Sequence, residues 1–435
     1  MFFPEEVADK QNSPLASWLF AHFGDTSLRM PGDSYDTIIV GAGIIGLAVA
    51  RELLARRGAG NGSRVLVVER EGAPAAHQTG HNSGVIHAGV YYAPGSLKAQ
   101  LCVDGAARMY AYCERHAIDV KRIGKLIIAL GDGELPALAE IERRANANGV
   151  AGMRRLDADG LREIEPHATG VAALHSPNTG IVDFGAVCAR LADDVREAGG
   201  ELRFGWQVAG VTTTARSIRL RAADGSGEVE GARAVFCAGL WSDRLAVLAG
   251  ADPDPRIVPF RGGYLRLTAQ RRDLVRGLIY PVPDPGLPFL GVHLTPRIDG
   301  EVLLGPSALL VGARDGYRLS TLRAADIRDT VTWPGTWRMM RRWWRTGVTE
   351  LHLAASRDAF AAEASRYVPG VRGEDLLPAF GGVRAQAVGR DGRLVDDFLL
   401  SSTPRAIHVR NAPSPAATSS LALAERIVDA AGEVG

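Results

Sequence analysis

Two histidines and three glycines lie in the stretch GHNSGVIHAGVYY, residues 80–92. His81 and His87 are of the residue type that binds metal ions or moves protons near neutral pH. A metal site needs further ligands at supporting spacings, and the sequence offers no third ligand. The pattern therefore favours a catalytic base or a loop that lies against a flat ligand over a metal site. For His81, a hydrogen bond within the loop is the simpler expectation.

A glycine-rich turn stands upstream of this loop, with the pattern Gly-x-Gly-x-x-Gly. The apolar run TIIV precedes the turn, the helix-forming run LAVARELLARR follows it, and a second apolar run, RVLVVE, ends at Glu69. This order of strand, turn, helix, strand and acid is the fingerprint of a dinucleotide site.

Each part of this pattern has a physical role. Gly41 permits the tight turn, Gly43 lets the backbone approach a pyrophosphate, and Gly46 lets the helix pack close to the strand. The phosphates lie on the free N–H groups of the helix N-terminus, and Glu69 accepts hydrogen bonds from a ribose. We expect the turn and the acid to contact the cofactor through these residues: Gly41, Ala42, Gly43, Ile45, Gly46, Glu69 and Arg70.

The turn alone does not distinguish NAD from FAD. The chain has no second Gly-x-Gly-x-x-Gly pattern, so it is expected to bind one dinucleotide. The stretch ARAVFCAGLWSDRLAVLAG reads as a buried strand that ends at Ala238 and Gly239, followed by a helix. It is typical of the second small-residue turn beside a flavin nucleotide. Upstream, Val208 or Val211 is expected to meet the adenine through the backbone.

Composition sets the class of protein. With 435 residues, 46% of them hydrophobic, the chain can bury a large core, and two domains are expected. The net charge of +1 argues against a nucleic-acid partner. The four cysteines have no metal-ligand spacing and suit a reducing compartment. No apolar run has the length of a membrane span, so a cytoplasmic protein is expected, with attachment to the inner face of the membrane left open.

Longer stretches of the chain resemble one family. The matching stretches run from about residue 35 to the C-terminus and include HQTGHNSGVIHAGVYYAPGSLKAQLCVDGA, SPNTGIVDFGAV, IVPFRGGYLRL, IYPVPDPGLPFLGVHLTPRIDGEVLLGP, GGVRAQAVGRDGRLVDDF and HVRNAPSPAATSSLAL. They resemble FAD-dependent oxidoreductases of the D-amino-acid-oxidase type, and within these the L-2-hydroxyglutarate dehydrogenases and oxidases. Long blocks of low degeneracy are more specific than the glycine pattern.

The resemblance implies roles for the loop at 80–92 and for the C-terminal turn. The loop is expected to run under an FAD isoalloxazine ring, with Ser83 and Gly84 as hydrogen-bond donors and His87 in contact with the ring or acting as a base. The turn around Ser414 and Thr418 leads into a helix whose N-terminus can face the same ring.

The resemblance also implies an anchor for the substrate's carboxylate. Arg384 follows the glycines Gly381 and Gly382, which are expected to let the strand lie close to the ring, and it matches the anchoring position of the amine oxidases. Arg410 is the second choice. Arginine suits the task because its planar fork meets a carboxylate with two parallel hydrogen bonds.

His293 is a second candidate for the base, and the choice between it and His87 stays open. Alternation along a strand places His293 and Thr295 on one face, which should look into the pocket. Arg261 and Tyr264 would line the same cavity.

The implied reaction is the oxidation of L-2-hydroxyglutarate to 2-oxoglutarate, with a base for the hydroxyl proton and hydride transfer from C2 to the flavin. Electrons would leave to a quinone, another acceptor or O₂. A five-carbon dicarboxylate needs a second cationic site, and the sequence does not say which arginine supplies it. An amine or amino-acid oxidase acting on glycine, sarcosine or D-amino acids is the alternative. A flavin-fold binding protein without catalysis is a more remote one.

Residues 333–345, WPGTWRMMRRWWR, are rich in tryptophan and arginine. Trp337, Met340 and Trp344 recur at helical spacing and form an apolar stripe beside the arginines. Such a stripe can lie on an anionic lipid surface. The pattern favours instead a surface helix whose tryptophans face inward and close the substrate domain.

The fold class that follows is α/β, with a discontinuous Rossmann-like FAD-binding domain and a second α+β domain on an antiparallel or mixed sheet. The FAD-binding domain is expected to draw on the segments 35–113, 164–250 and 375–435. The substrate domain is expected to draw on 114–163 and 251–374, after an extension at 1–34.

Overall fold

The computed structural model describes residues 34–57, 64–284, 286 and 290–434. The extension expected at 1–34 lies outside the described residues, apart from Ser34. From residue 35 onward the chain forms one compact unit.

The described residues form strands and helices that alternate along most of the chain. The strands are β1 (Ser34–Val40), β2 (Val65–Val68), β3 (Val85–Ile86), β4 (Val120–Arg122), β5 (Lys125–Ala129), β6 (Arg154–Asp157), β7 (Ala172–Ser176), β8 (Gly180–Val182), β9 (Glu201–Arg203), β10 (Val208–Thr213), β11 (Ile218–Ala222), β12 (Glu228–Phe236), β13 (Arg256–Leu267), β14 (Leu278–Pro281), β15 (His293–Pro296), β16 (Val302–Gly305), β17 (Leu309–Leu310), β18 (Leu376–Val388), β19 (Leu399–Thr403) and β20 (Ala406–Asn411). The helices are α1 (Ile44–Arg57), α2 (Leu97–Arg115), α3 (Leu135–Ala147), α4 (Ala158–Ile164), α5 (Phe184–Glu197), α6 (Ser242–Leu248), α7 (Ala324–Thr332), α8 (Pro334–Ala355), α9 (Arg357–Ser365) and α10 (Ala416–Glu433). Short 3-10 helices lie at Asp132–Glu134, Gly239–Trp241, Ala269–Leu274 and Gly373–Asp375.

The first sheet has the strand order β10-β11-β12-β1-β2-β9, and β20 pairs with β12 and β19. Strands β1, β2 and β9 run parallel, as do β12 and β20. The short strand β2 is completely buried, as expected for an apolar run in a sheet covered by helices. Helix α1 packs against α5 and α10, and the apolar sides of these helices share one core with β1 and β2.

A second sheet carries nine strands in the order β17-β13-β16-β15-β14-β5-β7-β6, with β18 paired to β13. The antiparallel ladder of β13 and β18 is long and sets Phe260 opposite Arg384. Strand β14 pairs in parallel with β5 and antiparallel with β15, so the sheet is mixed. The predicted α/β class with a second mixed sheet is confirmed.

The segment boundaries differ in detail from the predicted division into domains. Strands β7 and β18 fall in segments that the prediction gave to the FAD-binding domain, yet both pair in the nine-stranded sheet. Their partners, β5 and β13, are distant in sequence, and such pairings leave no local signal. The two-domain division itself stays a prediction.

The inward orientation that we favoured for the tryptophans of α8 is wrong for two of them. The side chains of Trp337 and Trp344 are 57% and 59% exposed, whereas Trp333, just before the helix, is buried. Trp333 is held because its indole N–H donates to the carbonyl of Val388. Among the described helices, including α8, none is long and apolar enough to cross a membrane.

Candidate active site

A cavity of about 610 Å³ opens where the central strands of the first sheet end. The register of β1 and β2 brings Val40 level with Val68, so the residues after each strand meet at one edge. The N–H of Gly41 donates to the carbonyl of Val68, and the N–H of Cys237 donates to that of Val40, both at 2.8 Å. Ligands of open α/β sheets bind at this carboxyl edge, and the cavity lies there.

The three glycines of the turn are required for different reasons. Gly41 has φ +109°, and a side chain there would meet the carbonyl oxygen of Cys237 at 2.5 Å. A side chain at Gly46 would overlap the carbonyl of Gly41, so this glycine lets α1 pack against the turn. A side chain at Gly43 would meet only the hydroxyl oxygen of Thr79, at 3.4 Å. Packing within the protein therefore does not require a glycine at position 43, and its predicted role beside a pyrophosphate stays a prediction.

Two helix N-termini line this cavity. One is the start of α1, where Gly43 and Ile45 are lining residues, and the other is the start of α10, where Ala416 and Thr418 are. Neither helix has an acidic residue in its first turn. The partial positive charge of a helix N-terminus favours an anion, so these residues fit the pyrophosphate of a dinucleotide such as FAD.

Glu69 and Arg70 form the end of the cavity that suits a nucleoside. The carboxylate of Glu69 accepts the N–H of Ala42 at 2.7 Å through one oxygen and the N–H of Glu71 at 3.0 Å through the other. It thereby ties the glycine turn to the end of β2. The guanidinium of Arg70 lies 4.2 Å from the ring centre of Trp241, and both residues line the cavity.

Most of the cofactor contacts expected from the sequence meet at this cavity. Those that line it are Gly41, Gly43, Ile45, Glu69, Arg70, Ser83, Val208, Ala238, Gly239, Ser414 and Thr418. Those outside its lining are Ala42, Gly46, Gly84, Gly381 and Gly382. Of the two alternatives for the adenine, Val208 lines the cavity and Val211 does not.

Three of the outlying glycines serve the packing of backbone segments. Gly84 has φ +75°, and a side chain there would meet the carbonyl oxygen of Val182 at 2.6 Å. A side chain at Gly381 would meet the guanidinium of Arg261 at 2.6 Å, and one at Gly382 would overlap the carbonyl of His81. Strand β18 thus lies close to the 80–92 loop and to Arg261 at these two glycines, and it reaches the cavity lining at Ala385 instead.

A second group of polar residues, here called the polar cluster, adjoins this cavity. Its members are Ser83, His87, Lys125, Tyr264, Tyr280, His293 and Arg384. Ser83 and His87 line the cavity, and the other five project from five strands of the second sheet, namely β5, β13, β14, β15 and β18. Burial raises the pKa of Tyr264, and the side chain of Ser83 lowers it, so the two parts of the site adjoin at these two residues.

His293 is buried in the polar cluster with one fixed hydrogen bond. Its Nδ1 donates to the carbonyl of Gly291 at 2.9 Å, and its ring stacks on that of Tyr280 with centres 4.1 Å apart. Burial, together with the positive charges of Lys125 and Arg384, lowers the pKa of His293 to about 3, although the bond to Gly291 raises it. The imidazole is therefore neutral at physiological pH, with Nε2 as its hydrogen-bond acceptor.

His87 is held from both sides of its ring. Its Nδ1 lies 3.5 Å from the ammonium of Lys125, and its Nε2 lies 3.5 Å from the hydroxyl of Ser414. Its backbone N–H donates to the hydroxyl of Thr418 at 3.1 Å. Burial lowers the pKa of His87 well below its ordinary value, and Lys125 and His293 add to the effect. By contrast, His81 forms a local bond to the carbonyl of His77, as expected from the sequence.

Arg410 differs from Arg384 in its position relative to the cavity, since Arg384 is not among the lining residues. Arg410 lines the cavity, is 3% exposed, and its Nη2 donates to the carbonyl of Pro255 at 2.9 Å. Burial lowers the pKa of Arg410, against the attraction of nearby carboxylates such as Asp243. Its part in binding the substrate stays a prediction.

The sequence analysis missed several residues of the site, among them Tyr280 of the polar cluster. Thr79 accepts the first N–H of α1, from Ile44, through its hydroxyl oxygen at 3.2 Å. Trp241 lines the cavity under Arg70. Lys125 is a buried cation at the head of the apolar strand β5, and a lone charge at the start of such a run was the available signal.

Known proteins are similar to this chain over most of its length. The sequence profile of the FAD dependent oxidoreductase family matches residues 36–430. The mitochondrial L-2-hydroxyglutarate dehydrogenase of Nematostella vectensis is 44% identical over 93% of this chain and 91% of its own length. For the Homo sapiens protein of that name the identity is 44%, over 91% and 88%, and for the L-2-hydroxyglutarate dehydrogenase of Escherichia coli K12 it is 42%, over 91% and 92%.

Solved structures agree on the fold. The L-alpha-glycerophosphate oxidase of Mycoplasma pneumoniae, with FAD bound, matches with a TM-score of 0.75 at 21% identity, over 92% of this chain and 95% of the other. The glycine oxidase of Geobacillus kaustophilus matches with a TM-score of 0.68 at 19% identity, over 93% and 96%.

The turn yields a prediction about Gly43. Gly43→Val should leave the fold intact, because little protein lies where the side chain would be, and should abolish retention of FAD by filling the pyrophosphate's place. Absorbance of the purified protein at the flavin band, beside circular dichroism, measures both.

The matched control is Gly72→Val, in a turn where a new side chain meets nothing within 4 Å. Gly72→Val should purify with its flavin. Full flavin occupancy in Gly43→Val would contradict the assignment of the turn.

Proposed function

Because the chain belongs to the family of FAD-dependent oxidoreductases, we propose that it oxidises L-2-hydroxyglutarate to 2-oxoglutarate. The choice of substrate rests on the sequence identity with the L-2-hydroxyglutarate dehydrogenases, which extends over most of both chains. The polar cluster supports it, since it combines two cations with two neutral imidazoles in a buried space beside the cofactor cavity.

The proposed base is His293. Oxidation of a 2-hydroxy acid removes a proton from the hydroxyl and a hydride from C2, and FAD, when bound, supplies the acceptor for the hydride. His293 keeps its proton on Nδ1 for the carbonyl of Gly291, so Nε2 offers a lone pair for the hydroxyl proton. The Nδ1 lone pair of His87 faces the ammonium of Lys125, which makes His87 the weaker candidate.

The proposed anchor for the C1 carboxylate is Arg384. Its charge lowers the pKa values of both Tyr264 and His293, so the guanidinium lies near the proposed base, His293, and near Tyr264. A carboxylate held there would present its neighbouring C2 hydroxyl to His293. Burial keeps water out of this space, which strengthens each charge-assisted bond.

The first prediction for this function concerns substrate choice. Under anaerobic conditions, L-2-hydroxyglutarate should bleach the flavin absorbance of the purified protein, and the D-enantiomer should not, because C2–H and the hydroxyl would exchange places relative to His293. Glycine, sarcosine and D-alanine complete the panel. Bleaching by an amine but not by L-2-hydroxyglutarate would replace the proposal with an amine oxidase, and a flavin that no compound bleaches would point to a protein without this catalysis.

The second prediction concerns pH. Because burial lowers the pKa of His293 to about 3, the base is already unprotonated well above that pH. The limiting rate of flavin reduction at saturating L-2-hydroxyglutarate should therefore stay flat between about pH 5 and pH 8 in stopped-flow measurements. A fall on the acid side with a midpoint close to about 6.5, the ordinary value for histidine, would argue against a buried base.

We also propose that the exposed apolar face of α8 contacts an anionic membrane. This face consists of Trp337, Met340, Trp344, Val348 and Leu351, which are all exposed. They recur at three- and four-residue spacings on the two sides of a kink at Trp343. Exposed arginines, among them Arg338, Arg341, Arg342 and Arg345, lie beside it along the helix. Exposed tryptophans beside arginines suit the boundary between lipid headgroups and acyl chains. A quinone held in that membrane is the electron acceptor that such a contact would serve.

Vesicle binding tests this contact. Wild-type protein should sediment with vesicles that contain phosphatidylglycerol and less with neutral phosphatidylcholine vesicles, because arginines contribute to binding only at an anionic surface. The double variant Trp337→Ser with Trp344→Ser should lose most of the binding and keep its flavin. Val171→Ser, at another exposed apolar residue, is the control and should bind like wild type. Equal sedimentation of the double variant would remove α8 as the contact.

A further inference from the structure

We infer that Lys125 binds the distal carboxylate of the substrate and so selects a dicarboxylate over a monocarboxylate. The inference rests on the proposed function. It assigns the second cationic site to a lysine on β5, where the sequence pointed only to arginines.

Lys125 is a buried cation without a carboxylate partner. Its side chain is 1% exposed, and no Asp or Glu of the described residues lies within ion-pair distance of it. Two comparably buried cations differ in this respect. The ammonium of Lys98 lies 2.8 Å from a carboxylate oxygen of Asp396, and Nη2 of Arg314 lies 2.9 Å from one of Asp243.

The contacts that Lys125 does have are weak substitutes for an anion. Its ammonium lies 4.1 Å from the ring centre of Tyr280 and 5.2 Å from that of Tyr91, and it reaches His87 only at 3.5 Å. Aromatic faces attract a cation less strongly than a carboxylate does. Burial lowers the pKa of Lys125 to about 7, against the effect of Cys102, which raises it. A bound carboxylate would supply the missing charge.

The ring of Tyr280 brings Lys125 close to His293, because the Lys125 ammonium and the centre of the His293 ring each lie 4.1 Å from its centre. Along the nine-stranded sheet, the strand of His293, β15, stands between β18 with Arg384 and β5 with Lys125. The charges of both cations act on His293 and lower its pKa. A substrate with its C1 carboxylate at Arg384 and its C2 hydroxyl at His293 therefore extends toward Lys125 with its remaining carbons.

The experiment compares ligands with and without the distal carboxylate. Binding of 2-oxoglutarate and of 2-oxopentanoate is measured by the perturbation of flavin absorbance in wild type and in Lys125→Met. Second-order rate constants for flavin reduction are measured with L-2-hydroxyglutarate and L-2-hydroxypentanoate. Arg384→Met provides the contrast, because the carboxylate that it is proposed to bind occurs in all four compounds.

Lys125→Met should weaken 2-oxoglutarate binding about tenfold to hundredfold, which is the range expected for one charge-assisted contact. It should change binding of 2-oxopentanoate less than about threefold, whereas Arg384→Met should weaken both. The melting temperature of Lys125→Met without ligand should equal or exceed that of wild type, because the substitution removes a buried charge that has no counter-ion. Lys98→Met, which breaks an ion pair outside the site, should leave 2-oxoglutarate binding unchanged.

Two results would overturn the inference. Unchanged 2-oxoglutarate binding with slower flavin reduction would make Lys125 a proton-transfer group, and equal weakening for both oxo acids would remove its selectivity. Failure of wild type to be reduced by L-2-hydroxyglutarate would instead refute the proposed function. Reduction of wild type together with either of these results in Lys125→Met would refute the role of Lys125 alone.

Discussion

The close approach of helix α1 to the turn at Gly41 is the contact on which the cofactor site depends. Because Gly46 has no side chain, the helix begins directly against the carbonyl of Gly41, and its N-terminus points into the space at the edge of the sheet. Glu69 holds the same turn from the side through the N–H of Ala42. The free N–H groups and the partial charge of the helix are thus fixed before any ligand arrives, so little reorganisation is needed on binding.

The second sheet contributes a buried environment, which excludes water from around charged and titratable groups. Burial is the largest cause of the lowered pKa values of His87, His293 and Lys125. A buried ammonium without a counter-ion is unfavourable in isolation, but it suits an anionic substrate that brings the opposite charge. The neutral imidazoles suit a substrate that gives up a proton. Sites that bind ions typically contain such groups, which lower the free energy of unfolding of the ligand-free protein.

The loop at 80–92 contributes residues to the cofactor cavity and also contacts residues of the second sheet. Ser83 and His87 line the cofactor cavity, while Ser83 also lowers the pKa of Tyr264 of β13 and His87 approaches Lys125 of β5. The glycines of β18 allow this close packing, because Gly382 leaves room for the backbone of His81. The irregular composition of the loop follows from this position between two layers.

The sequence by itself determined the dinucleotide turn, the acid after β2 and the α/β class, because each depends on residues that are near one another along the chain and follow local rules of turn and strand. The tertiary structure alone decided that Gly381 and Gly382 pack against Arg261 and the 80–92 loop, that Trp337 and Trp344 face outward, and that Lys125 stands beside the two histidines. These features depend on pairings between strands far apart in sequence, such as β5 with β14 and β13 with β18. The free energy of those pairings comes from burial and long-range contact, which no local pattern records.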